Sequence, residues 1–207
     1  MNNKNLVFVI TSVLLLSSFM IPINDAYATV DTWTDATTTS VGSITMIGVS
    51  MSDASNGVAV GDSGQIVYTT NGGVDWTDAT TTSVGSGQFD IMYGVSMGDA
   101  SNGVAVGRLG QIVYTTNGGV DWTDATTTSV GASPMHGVSM SDASNGVAVG
   151  GYGQIVYTTN GGVDWTDATT TDVGSGQFDI MYGVSMGDAS NGVAVGRLGQ
   201  IVYTTNG

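Results

Sequence analysis

Four tryptophans, Trp33, Trp76, Trp122 and Trp165, stand 43, 46 and 43 residues apart, and each opens a copy of one unit. A repeat of this length constrains the fold more than composition does, because a unit too small to bury its own apolar face must stack on its neighbours. The unit from Trp76 reads WTDATTTSVGSGQFDIMYGVSMGDASNGVAVGRLGQIVYTTNGGVD, and the unit from Trp165 repeats it to Gly207 except that Asp172 stands where the earlier copy has Ser83. The first and third units lack three residues in the loop after the TTT run, so two kinds of unit alternate, as a duplicated pair would.

Each unit holds four short segments rich in Val, Ile, Tyr, Thr and Trp, the residues that suit a pleated, half-buried surface. In the first copy they are Ile47–Met51, Gly57–Gly61, Gln65–Thr70 and Trp76–Thr80. The breaks between them, SDASNG, GDSG and NGG, are turn-forming, and Asn71-Gly72 suits a tight hairpin because both residues accept positive φ. No helical periodicity is found beyond the N-terminal leader. Four short strands in 43–46 residues predict an all-β chain built as a β-propeller of four blade-like repeats, 33–75, 76–121, 122–164 and 165–207. A β-helix would need a much shorter coil repeat. Pairing Trp33–Thr37 with Gln200–Thr205 would complete the last blade and close a four-bladed ring without free strand edges. The alternative is a partial propeller, either a fragment of a larger one or a ring completed by another chain, which implies a homo-oligomer.

The leader carries Lys4, an apolar run from Leu6 to Ile23, and Ala26-Tyr27-Ala28. This order reads as a signal helix over residues 1–28, a cleaved signal peptide or otherwise a membrane anchor. The repeats, residues 29–207, are therefore expected outside the cytoplasm, in the periplasm, on the cell surface or in the medium. The chain has a net charge of −14, with all 17 acidic residues Asp and no Glu. Beyond the leader its basic side chains are Arg108 and Arg197. That balance excludes nucleic acid, which needs Lys and Arg to displace counterions, and an anionic membrane surface. With no Cys, disulfides and thiolate metal sites are excluded too.

Thr69-Thr70-Asn71-Gly72-Gly73-Val74-Asp75-Trp76 resembles the Asp-box, the bacterial neuraminidase repeat Ser/Thr-x-Asp/Asn-x-Gly-x-Thr-Trp. With the preceding GVAVGDSGQIVY, the unit is similar to propellers of the photosystem II stability/assembly factor type. The resemblance implies a propeller in which Asn71, Gly73 and Trp76, Asn117, Gly119 and Trp122, and Asn160, Gly162 and Trp165 are structural, closing a hairpin and planting a Trp between blades. It also implies a protein partner met by a basic patch. Neuraminidase chemistry would need an arginine triad and a Tyr/Glu pair, which two arginines and no Glu cannot supply.

A binding face emerges from comparing the copies. In an antiparallel four-stranded blade, the turn between strands two and three shares a face with the link to the next blade. SDASNG and TTNGGVDW barely vary and sit on the opposite face. The variable turns are Asp62-Ser63, Arg108-Leu109, Gly151-Tyr152 and Arg197-Leu198; the links carry Phe89-Asp90, Pro134 and Phe178-Asp179; and Ile47, Tyr93, His136 or Tyr182 precedes each GVSM. Tyr93, Arg108, His136, Tyr152, Tyr182 and Arg197 are thus the expected contacts for a protein or glycan partner, since Tyr and Arg are favoured where binding energy concentrates. No catalytic residue, cofactor or metal ligand is expected. Asp53, Ser55 and Asn56 lack calcium-loop spacing and read as turn chemistry. The methionines of the innermost strands read as core filling rather than a copper site. The rival readings are a purely structural envelope protein and, more remotely, a glycoside hydrolase using Asp90 and Asp179.

Overall fold

The computed structural model describes residues 33–38, 41–81, 90–127, 130–170, 173–174, 176 and 179–207. The expected signal helix and its cleavage point lie outside the described residues, as do Phe89 and Phe178. Among the described residues no helix is long and apolar enough to cross a membrane. The chain divides into two compact units, 1–34 and 35–207. Of the first, Trp33 and Thr34 are described, and Trp33 is 95% exposed.

The second unit is all-β. Its first sheet runs Met46–Met51, Gly57–Gly61, Ile66–Thr69 and Asp75–Asp78, each strand antiparallel to the one before. The second sheet repeats this with Met92–Met97, Gly103–Gly107, Ile112–Thr115 and Asp121–Asp124, and the third with Met135–Met140, Gly146–Gly150, Ile155–Thr158 and Asp164–Asp167. The fourth has Met181–Met186, Gly192–Gly196 and Ile201–Thr204. The first strands of successive sheets lie side by side, which is the stacking of propeller blades around a centre. Glycine permits that closeness. A Cβ on Gly48 would lie 3.3 Å from the Cα of Gly94, and one on Gly137 would lie 3.2 Å from the Cα of Gly183.

The expected strand Trp76–Thr80 is cut short. Ala79 N–H donates to Ile66 O at 3.0 Å, and the chain then crosses to the next blade, where Thr80–Thr81 pairs in parallel with Asp121–Trp122. Thr126–Thr127 does the same against Asp164–Trp165, and Thr37–Thr38 against Asp75–Trp76. Each of the first three sheets thus gains a fifth strand that laces it to the segment before it. The closed four-bladed ring is not found among the described residues. Thr37 N–H is held by Val74 O at 2.8 Å in the first blade, so Thr37 does not complete the last one. Among the described residues Ile201–Thr204 pairs with Gly192–Gly196 alone, and Ile201 and Tyr203 are 71% and 80% exposed.

The core lies between blades. In GVAVG the valines point to one face and the alanine to the other, as strand alternation requires. Val58, Val60 and Ile66 of the first blade pack with Met92, Val95, Ala105, Val113 and Trp122 of the second. Val104, Val106 and Ile112 meet Met135, Met140, Ala148, Val156 and Trp165 in the same way. Met92, Met135 and Met181 are fully buried, where a flexible thioether fills irregular space.

The Asp-box builds the hairpin that delivers each tryptophan. Gly119 N–H donates to the buried Thr115 Oγ1 at 3.0 Å, Asp121 N–H to Asn117 Oδ1 at 2.9 Å, and Trp122 Nε1–H to Gly119 O at 2.9 Å. Asp121 stands where the motif usually has Thr, and the structure supplies the reason. This box carries Asn rather than Asp at its third position, and the amide of Asn117 donates to Asp121 Oδ2 at 2.8 Å. The same Asn–Asp pair closes at 2.8 Å in the boxes of Asn71 and Asn160. The neighbouring SDASNG loop is an Asx-turn: Asp53 Oδ1 accepts from Ser55 N–H at 2.7 Å and Asn56 N–H at 2.9 Å. Asn56, through its side chain and then the two backbone donors, holds the Asp53 carboxyl below its usual titration range, and Asp142 and Asp188 are lowered likewise. Gly72 N–H donates to Ser55 O, Gly118 to Ser101 O and Gly161 to Ser144 O, each at 2.8 Å. Those bonds place the two invariant loops on one rim.

Candidate functional site: the variable rim

The opposite rim is made of the loops that differ between copies. Each turn between strands two and three bonds back to the residues before its own first strand. Asp62 N–H donates to Thr45 O at 2.9 Å, Arg108 to Ile91 O at 2.8 Å, Gly151 to Pro134 O at 2.9 Å and Arg197 to Ile180 O at 2.8 Å. Two of the turns also reach forward: Gly64 N–H donates to Asp90 O at 2.5 Å and Gly153 N–H to Asp179 O at 2.6 Å. The turns of the first three blades pack against the first strand of the following blade. Arg108, Tyr152 and Arg197 therefore stand on the same rim as the starts of the innermost strands.

A β-bulge sets the geometry of those starts. Met92 pairs with Gly107 and Gly94 with Val106, so Tyr93 is an extra residue with no partner across the ladder. The same shift occurs at Ile47, His136 and Tyr182. Bulges re-aim a side chain away from the regular pleat. The four variable positions are thus the four bulge positions, and three of them come together as a row of rings. The Tyr93 and His136 centroids are 5.2 Å apart at an interplanar angle of 45°, and those of His136 and Tyr182 are 5.9 Å apart at 50°. Such tilted pairs bring ring edges toward ring faces, an attractive arrangement. Burial pushes the His136 imidazole below its usual value, because desolvation disfavours the charged form.

Comparing residue types alone overlooks two members of this rim. Leu109 and Leu198 are 60% and 88% exposed, and like Tyr152 and Ser63 they hold positive φ, near 58° in all four turns. A bulky residue in that region is uncommon and is held by its surroundings. The signal was the apolar residue beside glycine in Arg-Leu-Gly, an odd choice for an exposed turn. Asp90 and Asp179, the pair a glycoside hydrolase would use, belong to the second and fourth blades with the third between them, and Asp179 Oδ2 accepts from Gly176 N–H at 2.7 Å.

No curated protein sequence matches the chain. Among solved structures, it is similar to YCF48 from Cyanidioschyzon merolae, with 17% identity and a TM-score of 0.57 over 78% of this chain and 51% of that one. It is similar to YCF48 bound to D1 peptide, with 17% identity and a TM-score of 0.54 over 77% of this chain and 63% of that one. An ancestral GH74 enzyme shares 16% identity and a TM-score of 0.61 over 78% of this chain and 23% of that one. The chain thus spans between half and two thirds of the YCF48 structures, and the likeness to all three is one of propeller fold. Residues 26–207 match the sequence profile of the photosynthesis system II assembly factor YCF48, and the chain belongs to that family of Asp-box propellers.

Proposed function

We propose that this chain is an exported, non-catalytic assembly scaffold whose variable rim holds an extended protein segment along Tyr93, His136 and Tyr182. The observation that carries the reading is the ring row itself. Three aromatic side chains stand on bulges, at the positions where the copies differ, beside the exposed apolar tips Leu109, Tyr152 and Leu198. Rigid aromatic surface with few rotamers to freeze is what favours peptide binding. Arg108 and Arg197 stand on the same rim of a chain of net charge −14, which makes it the least repulsive face for an acidic or neutral segment. The family's assembly role, and a solved YCF48 with D1 peptide bound, support a protein partner over a glycan. The leader from Lys4 to Ala28 supports export.

Calorimetric titration with D1 peptide tests this reading. The unaltered chain should bind, and the double variant Tyr93→Ala/Tyr182→Ala should lose about 2–4 kcal/mol, roughly 30- to 700-fold in Kd. Its melting should shift by about 1 kcal/mol or less, because neither ring is buried. Undiminished binding by the double variant would remove the rim from the account. Binding of an oligosaccharide but no peptide would reassign it to a glycan.

A further inference from the structure

The two ends of the ring row are chemically the same. The repeat gives Asp90, Tyr93, Arg108 and Leu109 in one blade and Asp179, Tyr182, Arg197 and Leu198 two blades on. His136 of the blade between them stands 5.2 Å from one tyrosine ring and 5.9 Å from the other, so the tyrosine centroids are no more than about 11 Å apart. Equal ends at that distance call for a ligand that offers the same kind of residue twice. The backbone beneath the rings limits how such a ligand is held. At the rim end of each innermost strand the bulge at Tyr93, His136 or Tyr182 breaks the regular ladder, a feature that blunts a strand edge. At the far end Met97 N–H donates to Ser50 Oγ at 3.0 Å, Met140 N–H to Ser96 Oγ at 2.9 Å and Met186 N–H to Ser139 Oγ at 3.0 Å. The serine of the preceding blade thus takes up a main-chain donor that an added strand would need. The row offers rings to its ligand rather than a strand edge.

We propose that the row binds a segment in the polyproline II conformation with two prolines three residues apart, a ligand class that rests on the reading of this rim as a protein-binding face. A polyproline II helix has three residues per turn and a rise of about 3.1 Å, so residues i and i+3 lie on one face about 9 Å apart, within the span of the two tyrosines. Rows of aromatic rings dock such segments by packing against their apolar faces. Each tyrosine also brings a hydroxyl, and a polyproline II backbone has no internal hydrogen bonds, so its carbonyls are free to accept from that hydroxyl. Proline has no N–H, so it leaves no main-chain donor unpaired where no ladder is offered. Its fixed φ lowers the cost of ordering the segment on binding. Arg108 and Arg197, one in the blade of each tyrosine, suit a segment with an acidic residue beyond each proline.

Calorimetry on the full chain with three capped synthetic peptides of equal length and charge tests this. The first is Ala-Asp-Pro-Ala-Ala-Pro-Ala-Asp-Ala. The second, Ala-Asp-Pro-Ala-Ala-Ala-Pro-Asp-Ala, turns the later proline off the shared face, and the third, Ala-Asp-Val-Thr-Val-Thr-Val-Asp-Ala, favours a strand. The first should bind at least about tenfold more tightly than either of the others. Tyr93→Ala/Tyr182→Ala should weaken it at least about tenfold, with the circular dichroism of the sheets unchanged. Equal binding of the three peptides, or an undiminished affinity of the double variant for the first, would overturn the proposal. If D1 peptide binds through the rim while the three peptides are not told apart, the polyproline II ligand falls and the protein-binding face stands. If D1 peptide and all three peptides fail to bind, both fall.

Discussion

Replacing Trp122 or Trp165 by alanine should cost about 3–5 kcal/mol of folding stability, a large share of the 5–15 kcal/mol that holds a typical domain together. Both indoles are 1% exposed and lie between two blades. Removing one takes away about 150–250 Å² of buried surface, about 4–6 kcal/mol at 25 cal/mol per Å² as an upper value, and leaves a hole that two sheets must close over. It also strips the donor from Gly119 O or Gly162 O. Phenylalanine keeps much of the apolar bulk but loses the fused five-membered ring and the donor, so Trp122→Phe should cost about half as much. Urea unfolding followed by circular dichroism reads both. A change under 1 kcal/mol for either alanine variant would mean that the seams do not hold the stack.

The second large effect concerns a glycine that no packing scale would flag. Gly119 sits at φ 91° and Gly162 at φ 89°, where a side chain is strained by about 1–2 kcal/mol. Both also touch the blade before. A Cβ on Gly119 would come within 2.5 Å of Val58 Cγ2 and 3.3 Å of Tyr68 Cβ, and one on Gly162 would meet Val104 and Tyr114 in the same way. Overpacking of that kind costs about 1–3 kcal/mol more. Gly119→Ala should therefore destabilise by about 2–5 kcal/mol, and adding Val58→Ala should recover part of the loss. The double variant should then be less damaged than the sum of the singles by about 1 kcal/mol or more. Strict additivity would show that the cost is only the backbone's.

Much of this architecture could be read from the residues, and the parts that could not have physical reasons. The spacing of the tryptophans, the Val/Ile/Tyr segments and the Asn-Gly turns locate the four strands of the first blade to within a residue or two, because those signals are local. The break at Ala79 is not local. Thr80–Thr81 leaves its own sheet for a partner about 40 residues away, and nothing in TDATTT marks the crossing. Closure of a four-bladed ring is a statement about curvature, which strand patterns do not contain, and it is not found among the described residues. At the rim, variation between copies picks out Tyr93, His136 and Tyr182, yet Met-x-Gly-Val-Ser-Met has no clean alternation from which to read the bulge that presents them. Leu109 and Leu198 were hidden beside arginines that draw attention by charge. Asp75, odd by motif, becomes intelligible only once the amide of Asn71 is seen to need an acceptor.

The claim that a protein segment docks on the bulged rim is tested most directly by amide hydrogen exchange with and without bound D1 peptide. The account predicts slowed exchange at Tyr93, His136 and Tyr182 and in the turns of Arg108, Tyr152 and Arg197, with the Asp-box hairpins unchanged. Protection confined to the Asp-box rim, around Asn71, Asn117 and Asn160, would contradict it.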